Sequence, residues 1–217
     1  QLGSDTNLRS LTQLVRGLFR LLIRLLAHLR IAPQKASRHD HPATSLNNLA
    51  LLYKSQGKYE LVEPLLKRAL SIHERLFGPD HPDTATSLNN LAAFYDSQGK
   101  YKLAEPLFER ALAICEQRLG PDHPGTAPSL NNLALLYESQ GKYELAEPLL
   151  ERALSIHEQH FGPDHPDTAT SLNNLAHLYE NQKKYDLAEP LFKRALSIHE
   201  QVYGRDHSEV TADLNNL

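Results

Sequence analysis

Beyond residue 40 the hydrophobic positions recur with a period far longer than a helix turn. Ser-Leu-Asn-Asn-Leu-Ala stands at 45–50, 87–92, 129–134 and 171–176, and Leu-Asn-Asn-Leu closes the sequence at 214–217. Leu46, Leu88, Leu130, Leu172 and Leu214 are each 42 residues from the next. A fixed step of that size marks a solenoid of stacked units, none of which buries its apolar face alone. Inside a unit the pattern shifts to helix period. In the second copy Leu88, Leu91, Ala92 and Tyr95 share one helical face, and Ala104, Phe108 and Ala111 share another. The spacing predicts helix A over about 83–98 and helix B over about 101–119. Pro82 and Asp83 suit a helix start, and Gly99 suits a left-handed stop. Gly120-Pro121-Asp122-His123-Pro124 is a turn rich in breakers.

An all-α chain of antiparallel helix pairs follows. Its organisation reads as an irregular segment at 1–40, repeats at 41–82, 83–124, 125–166 and 167–208, and the start of a fifth at 209–217. Alanines at 92, 104 and 111 let helices approach closely, while Tyr95 and Phe108 fill the wider gaps. The pattern returns in the third and fourth units; in the first, Val62 replaces the alanine. Pro64, Pro106, Pro148 and Pro190 fall early in helix B, where each predicts a slight bend.

Segment 1–40 differs. Leu8, Leu11, Val15, Leu18, Leu22, Leu25 and Leu29 make one helical stripe, and Arg9, Arg16, Arg20, Arg24 and Arg30 lie opposite. Three readings stand. It is a diverged repeat or capping helix, a self-association surface, or a basic amphipathic helix on an anionic membrane. Opening on Gln1, lacking Met and stopping inside a repeat, the chain reads as a processed product or an excised piece.

Composition narrows the function. Net charge is −3, so no overall field favours nucleic acid or an acidic membrane. No apolar run reaches membrane-spanning length. A single cysteine, Cys115, forms no intrachain disulfide and fits a reducing, cytoplasmic setting. No phosphate loop, dinucleotide fingerprint, nucleophile elbow or zinc-protease motif occurs, and Cys115 has no evident base. The chain is therefore read as no enzyme, with no catalytic residue, metal or cofactor. His81, His123, His165 and His207 repeat singly, so they do not converge on an ion and read as turn and cap residues. His73, His157 and His199, with Cys115 at the equivalent place, read as packing. Among histidines, only His157, His160 and His165 cluster locally.

Leu-x-x-Leu-Ala-x-x-Tyr, Gly-Lys-Tyr, the helix-B alanine and Arg-Ala-Leu resemble the tetratricopeptide repeat over 41–217. The 42-residue step, against about 34 in that family, the doubled Asn and the Gly-Pro-Asp-His-Pro turn resemble its kinesin-light-chain subgroup. That subgroup is also common in bacteria, notably filamentous cyanobacteria, and the near-identity of neighbouring units looks like recent duplication. The resemblance implies a right-handed superhelix with helix A on its concave side, binding a protein or peptide. It also implies that an inner-face Asn holds peptide backbone.

The candidate groove residues follow from the residues facing away from the helix-A core. Asparagine amides offer donors and an acceptor to peptide N–H and C=O groups. The second Asn of each pair, Asn48, Asn90, Asn132, Asn174 and Asn216, is the preferred ligand contact. Asn47, Asn89, Asn131 and Asn173 stand beside them as candidates. Either set also fits a role fixing one helix on the next. Leu51, Ala93, Leu135 and His177 form a mostly apolar line between the rungs. Lys54, Asp96, Glu138 and Glu180 form a largely acidic one. The cations by which chaperone-tail clamps and kinesin light chains hold acidic ligands are mostly missing, so a neutral or basic peptide with an apolar side chain fits better. The alternative function is self-assembly through the N-terminal leucine stripe and the open C-terminal repeat face.

Overall fold

The computed structural model describes residues 40–216. Residues 1–39, and with them the three readings of the leucine stripe, lie outside the described residues. Among the described residues nine α-helices follow in order: α1 (Asp40–Ser55), α2 (Tyr59–Phe77), α3 (Pro82–Ser97), α4 (Tyr101–Arg118), α5 (Ala127–Ser139), α6 (Tyr143–Phe161), α7 (Pro166–Asn181), α8 (Tyr185–Tyr203) and α9 (Ser208–Asn215). Odd-numbered helices are helix A and even-numbered ones helix B. Within units α3 packs on α4, α5 on α6 and α7 on α8; between units α2 meets α3, α4 meets α5, α6 meets α7 and α8 meets α9. This is the all-α, superhelical solenoid of helix pairs that the 42-residue step predicts.

Small side chains set the helix spacing. Ala92, Ala104, Ala111, Ala134, Ala146, Ala153 and Ala176 are all fully buried. Leu88, Leu130 and Leu172 fill the space between helix A and helix B at the same place in each unit, and Phe108, Leu150 and Phe192 fill it one turn away. Each unit thus buries its apolar face against the next, and one core runs along the array.

The turns are built from the repeated residues. Nδ1 of His81, His165 and His207 accepts the backbone N–H two residues on, at 3.2, 3.1 and 3.3 Å, capping α3, α7 and α9. Thr84, Thr126 and Thr168 donate to the carbonyls of Gly78, Gly120 and Gly162 at 2.8–2.9 Å, closing each breaker turn. The histidines of the Asp-His-Pro turn are therefore caps. In the third unit Pro128 lacks the N–H that a helix started at Pro124 would need. Pro124–Thr126 instead forms a 3₁₀ turn and α5 begins at Ala127. Helix B runs through its proline in every unit, from Tyr59 to Phe77 in the first.

A polar ladder ties unit to unit. Arg110 meets Glu74 at 2.9 Å and the Pro79 carbonyl at 3.0 Å. Arg152 repeats this with Glu116 and Pro121, both at 2.6 Å. Arg194 does so with Glu158 at 2.7 Å and Pro163 at 3.1 Å.

Candidate functional site

The doubled asparagines divide by role. The first follows the buried leucine of helix A and leans toward the next helix A. Asn89 donates from Nδ2 to Ser129 Oγ at 3.1 Å, and Asn173 donates to Asp213 Oδ1 at 2.6 Å. These acceptors are 1% and 2% exposed, and each is held a second time from helix B. Cys115 Sγ lies 3.5 Å from Ser129, and His199 Nδ1 lies 2.7 Å from Asp213. In the equivalent places His73 meets Ser87 and His157 meets Ser171, both at 2.8 Å. His73 Nδ1 also lies 2.9 Å from the Asp83 carbonyl, which can only accept, so that nitrogen carries the proton. The first Asn thus fixes stacking wherever its amide is engaged. The carbonyl oxygens of Asn47, Asn89, Asn131 and Asn173 are buried and have no protein partner among the described residues.

The second Asn makes no such bond among the described residues. Asn48 is exposed, and Asn90, Asn132, Asn174 and Asn216 are half-buried. Among the described residues none of these side chains makes a hydrogen bond to protein. Their donors and acceptors are available at four consecutive half-buried positions, one helix A apart.

Between the rungs lies the apolar line. Leu51 is 64% exposed and Leu135 42%, Ala93 is exposed, and His177 is half-buried. His177 sets its ring edge-on to Phe192 at 4.9 Å, with Nδ1 3.1 Å from Glu180 Oε2. Near the N-terminal end of the array a cavity of about 70 Å³ opens between α1 and α3. Ala50, Val62, Leu66 and Phe94 form its apolar base, and Asn47, Asn90, Leu51, Ala93 and Lys54 edge it. Val62 and Phe94 stand where later units carry Ala and Leu, so this cavity is shaped differently from its neighbours.

The charged line runs along the same face. Lys54 shares the first cavity with Asn90, and Glu180 shares a cavity of about 440 Å³ with Asn216 at the far end. Burial pushes the Asp96 carboxyl up, opposed by the charge of Lys54. Glu138 accepts from the Asn181 amide through Oε1, while its Oε2 is buried and has no partner among the described residues. The line is therefore compensated near α1 and anionic toward α7.

A second set of positions repeated from unit to unit proves structural. Tyr95 donates its hydroxyl to Glu63 at 2.9 Å, and Tyr179 donates to Glu147 at 2.9 Å. Lys100, Lys142 and Lys184 of the Gly-Lys-Tyr turn sit 5.8, 5.4 and 5.6 Å from the ring centres of Tyr95, Tyr137 and Tyr179. The same lysines approach Glu63, Glu105 and Glu147 at 3.9, 3.4 and 3.9 Å. Each tyrosine is clamped between a cation of its own unit and a carboxylate of the preceding one. Burial, reinforced by Glu147, pushes the Tyr179 phenol up to about 12. Sequence reasoning placed these tyrosines in the core but missed their anionic partners; a glutamate at one fixed place early in each helix B was the available signal. It also missed Ser87, Ser129 and Ser171, whose repetition beside the core leucine marks them.

No three His, Cys, Asp or Glu side chains converge as a metal site among the described residues. His157 is turned to Ser171, and His160 to the Asp122 carbonyl at 2.7 Å. No helix among the described residues is long and apolar enough to cross a membrane.

By architecture the molecule is a repeat scaffold whose A helices present one continuous polar and apolar face. The chain belongs to the tetratricopeptide-repeat family, which it matches over residues 41–117, 86–159, 129–201 and 167–217. Among solved structures it is similar to the nearly identical TPR-like repeats of a kinesin light chain candidate from Podosopora anserina. Identity there is 26%, the TM-score is 0.67, and 81% of this chain and 83% of the other are covered. BtubC (BKLC) from P. vanneervenii is also similar, at 26% identity and a TM-score of 0.65, over 88% of this chain and 77% of that one. The apo form of RapI shares the fold at 21% identity, with a TM-score of 0.63, over 89% of this chain and 52% of RapI. The likeness to kinesin-light-chain-type repeats, one set of them bacterial, matches the subgroup resemblance carried by the long step and the doubled Asn.

Proposed function

We propose that this chain is a non-catalytic scaffold that grips an extended peptide, or a partner helix, along its helix-A face. The carrying observation is the division within each Asn pair. One amide is engaged in stacking at Asn89 and Asn173, while the neighbouring Asn90, Asn132 and Asn174 stand half-buried, with no side-chain hydrogen bond among the described residues. A half-buried amide that leaves its donors and acceptor unused is suited to a ligand's backbone. Each such bond contributes about 0.5–1.5 kcal/mol net, so several in register support micromolar binding. Leu51, Ala93, Leu135 and His177 then supply choice among side chains.

The test is selection from a random peptide library on the wild-type chain, followed by affinity measurement on Asn90→Ala/Asn132→Ala/Asn174→Ala. Circular dichroism first establishes equal helicity. Selected peptides lose at least tenfold in affinity on the triple variant if the reading is right. Equal affinity for both proteins refutes the ladder as the grip.

A further inference from the structure

The helix-A face differs between its two ends, and the difference specifies a ligand. At the α1–α3 end the 70 Å³ cavity has an apolar base of Ala50, Val62, Leu66 and Phe94. Its one cation, Lys54, is matched by Asp96 on the next helix A, which feels its charge. At the α5–α7 end there is no such cation among the described groove positions. Glu138 has only the neutral Asn181 amide on Oε1 and nothing on its buried Oε2. Glu180 pairs with the His177 ring, and Lys193, which lines the same cavity, is held by Glu189 at 2.5 Å. Glu138, with one carboxylate oxygen sheltered from water and no cation beside it among the described residues, is a strong attractor for one, and the exposed Glu180 adds a second negative charge further along the face.

Resting on the peptide-groove reading above, we propose that the ligand is an extended peptide with a small apolar anchor at one end and Lys or Arg toward the other. The anchor fills the cavity beside Asn47 and Asn90. The cations meet Glu138 and Glu180. The register follows from two lengths. Neighbouring packed helices stand about 8–10 Å apart and an extended chain advances about 3.3 Å per residue, so one unit spans about three residues. Glu138 on α5 and Glu180 on α7 lie about one and a half and two and a half helix-A spacings from the middle of the α1–α3 cavity, which puts the basic residues about five and eight positions from the anchor. The uniform Asn rungs between them take backbone and impose no side chain, so the sequence in between is unrestricted.

Fluorescence anisotropy with labelled peptides of about twelve residues tests this. The probe carries Val at one end and Arg at the fifth and eighth positions beyond it, in Gly-Ser background, made in both chain directions. Companion peptides replace both Arg by Glu, move them to the third and fourth positions, or replace Val by Asp. Proteins are wild type, Glu138→Gln/Glu180→Gln, and the triple Asn→Ala variant, each checked for helicity. The proposal expects one chain direction of the probe to bind at least tenfold tighter than all three companions. It also expects the preference for Arg over Glu to vanish in the Gln variant and to weaken with added salt. Equal binding of Arg and Glu peptides, both weakened by Asn→Ala, overturns the charge register and leaves the groove reading standing. Absence of binding by every peptide overturns both. Unchanged Arg preference in the Gln variant overturns the assignment of Glu138 and Glu180.

Discussion

Lys183 carries the turn between α7 and α8 with φ at 60°, where Gly57, Gly99 and Gly141 hold 71°, 67° and 72° in the other units. A side chain in this left-handed region crowds the backbone by about 1 kcal/mol. Lys183→Gly should therefore raise stability by about 1 kcal/mol, seen as a higher urea midpoint with unchanged slope. A lower midpoint would mean the lysine makes a compensating contact. Tyr179 gives a pH prediction. Its folded value near 12 exceeds the ordinary 10 because burial and Glu147 oppose the phenolate. The folded state therefore favours the neutral phenol. That contribution to stability is complete below pH 10 and is lost as pH rises through 12. Burial raises Tyr95 and Tyr137 as well, so absorbance titration should show a late-ionising group of tyrosines, and Tyr179→Phe should reduce its amplitude by one tyrosine. At this scale the sequence was only partly legible. The repeated Asn pair, Gly turn and cap histidine stood out because each is a local signal. Which Asn turned to stacking did not, because the acceptor is a serine 40 residues on, whose own orientation depends on a histidine or cysteine from a third helix.

Helix boundaries fell within a residue of the reading for α3 and α4, since proline, glycine and the apolar stripe all act locally. Helix α5 departed from it because Pro128 delays the first α-turn. Gly125 accompanies that change: a Cβ there would meet Leu119 Cδ1 at 2.9 Å, whereas the other units pair an Asp or Glu with an aromatic at the matching place. The element most sensitive to substitution is helix B at its alanine. Ala146 is fully buried where α6 crosses its neighbours. Ala146→Leu should cost about 1–3 kcal/mol by overpacking, lowering the thermal midpoint while leaving an exposed-site control such as Ser155→Ala unchanged. An unaffected midpoint would mean that the helices separate easily and that small residues do not set the spacing.

Over the whole array, stability comes from nearest-neighbour contacts, repeated as the Arg–Glu and Tyr–Glu–Lys ties between successive units. Hydrogen exchange should accordingly be slowest in α4 to α7, which have described units on both sides, and fastest in α9, which meets only α7 and α8 among the described residues. Uniform protection would instead indicate one all-or-none unit. Architecture was readable from the sequence because a 42-residue period leaves few alternatives. The acidic line of Asp96, Glu138 and Glu180 with Lys54 at one end was readable too, but the cavity at Val62 and Phe94 and the bond from Asn181 to Glu138 were not, since they depend on residues of other helices. The most direct test of the account is the set of Asn side-chain amide resonances in a 15N-labelled sample, followed as a selected peptide is added. The account predicts that the Asn90, Asn132 and Asn174 signals shift with saturation while those of Asn89 and Asn173 stay in place. Shifts confined to Asn89 and Asn173, or to helix-B positions such as Leu103 and Leu145, would contradict it.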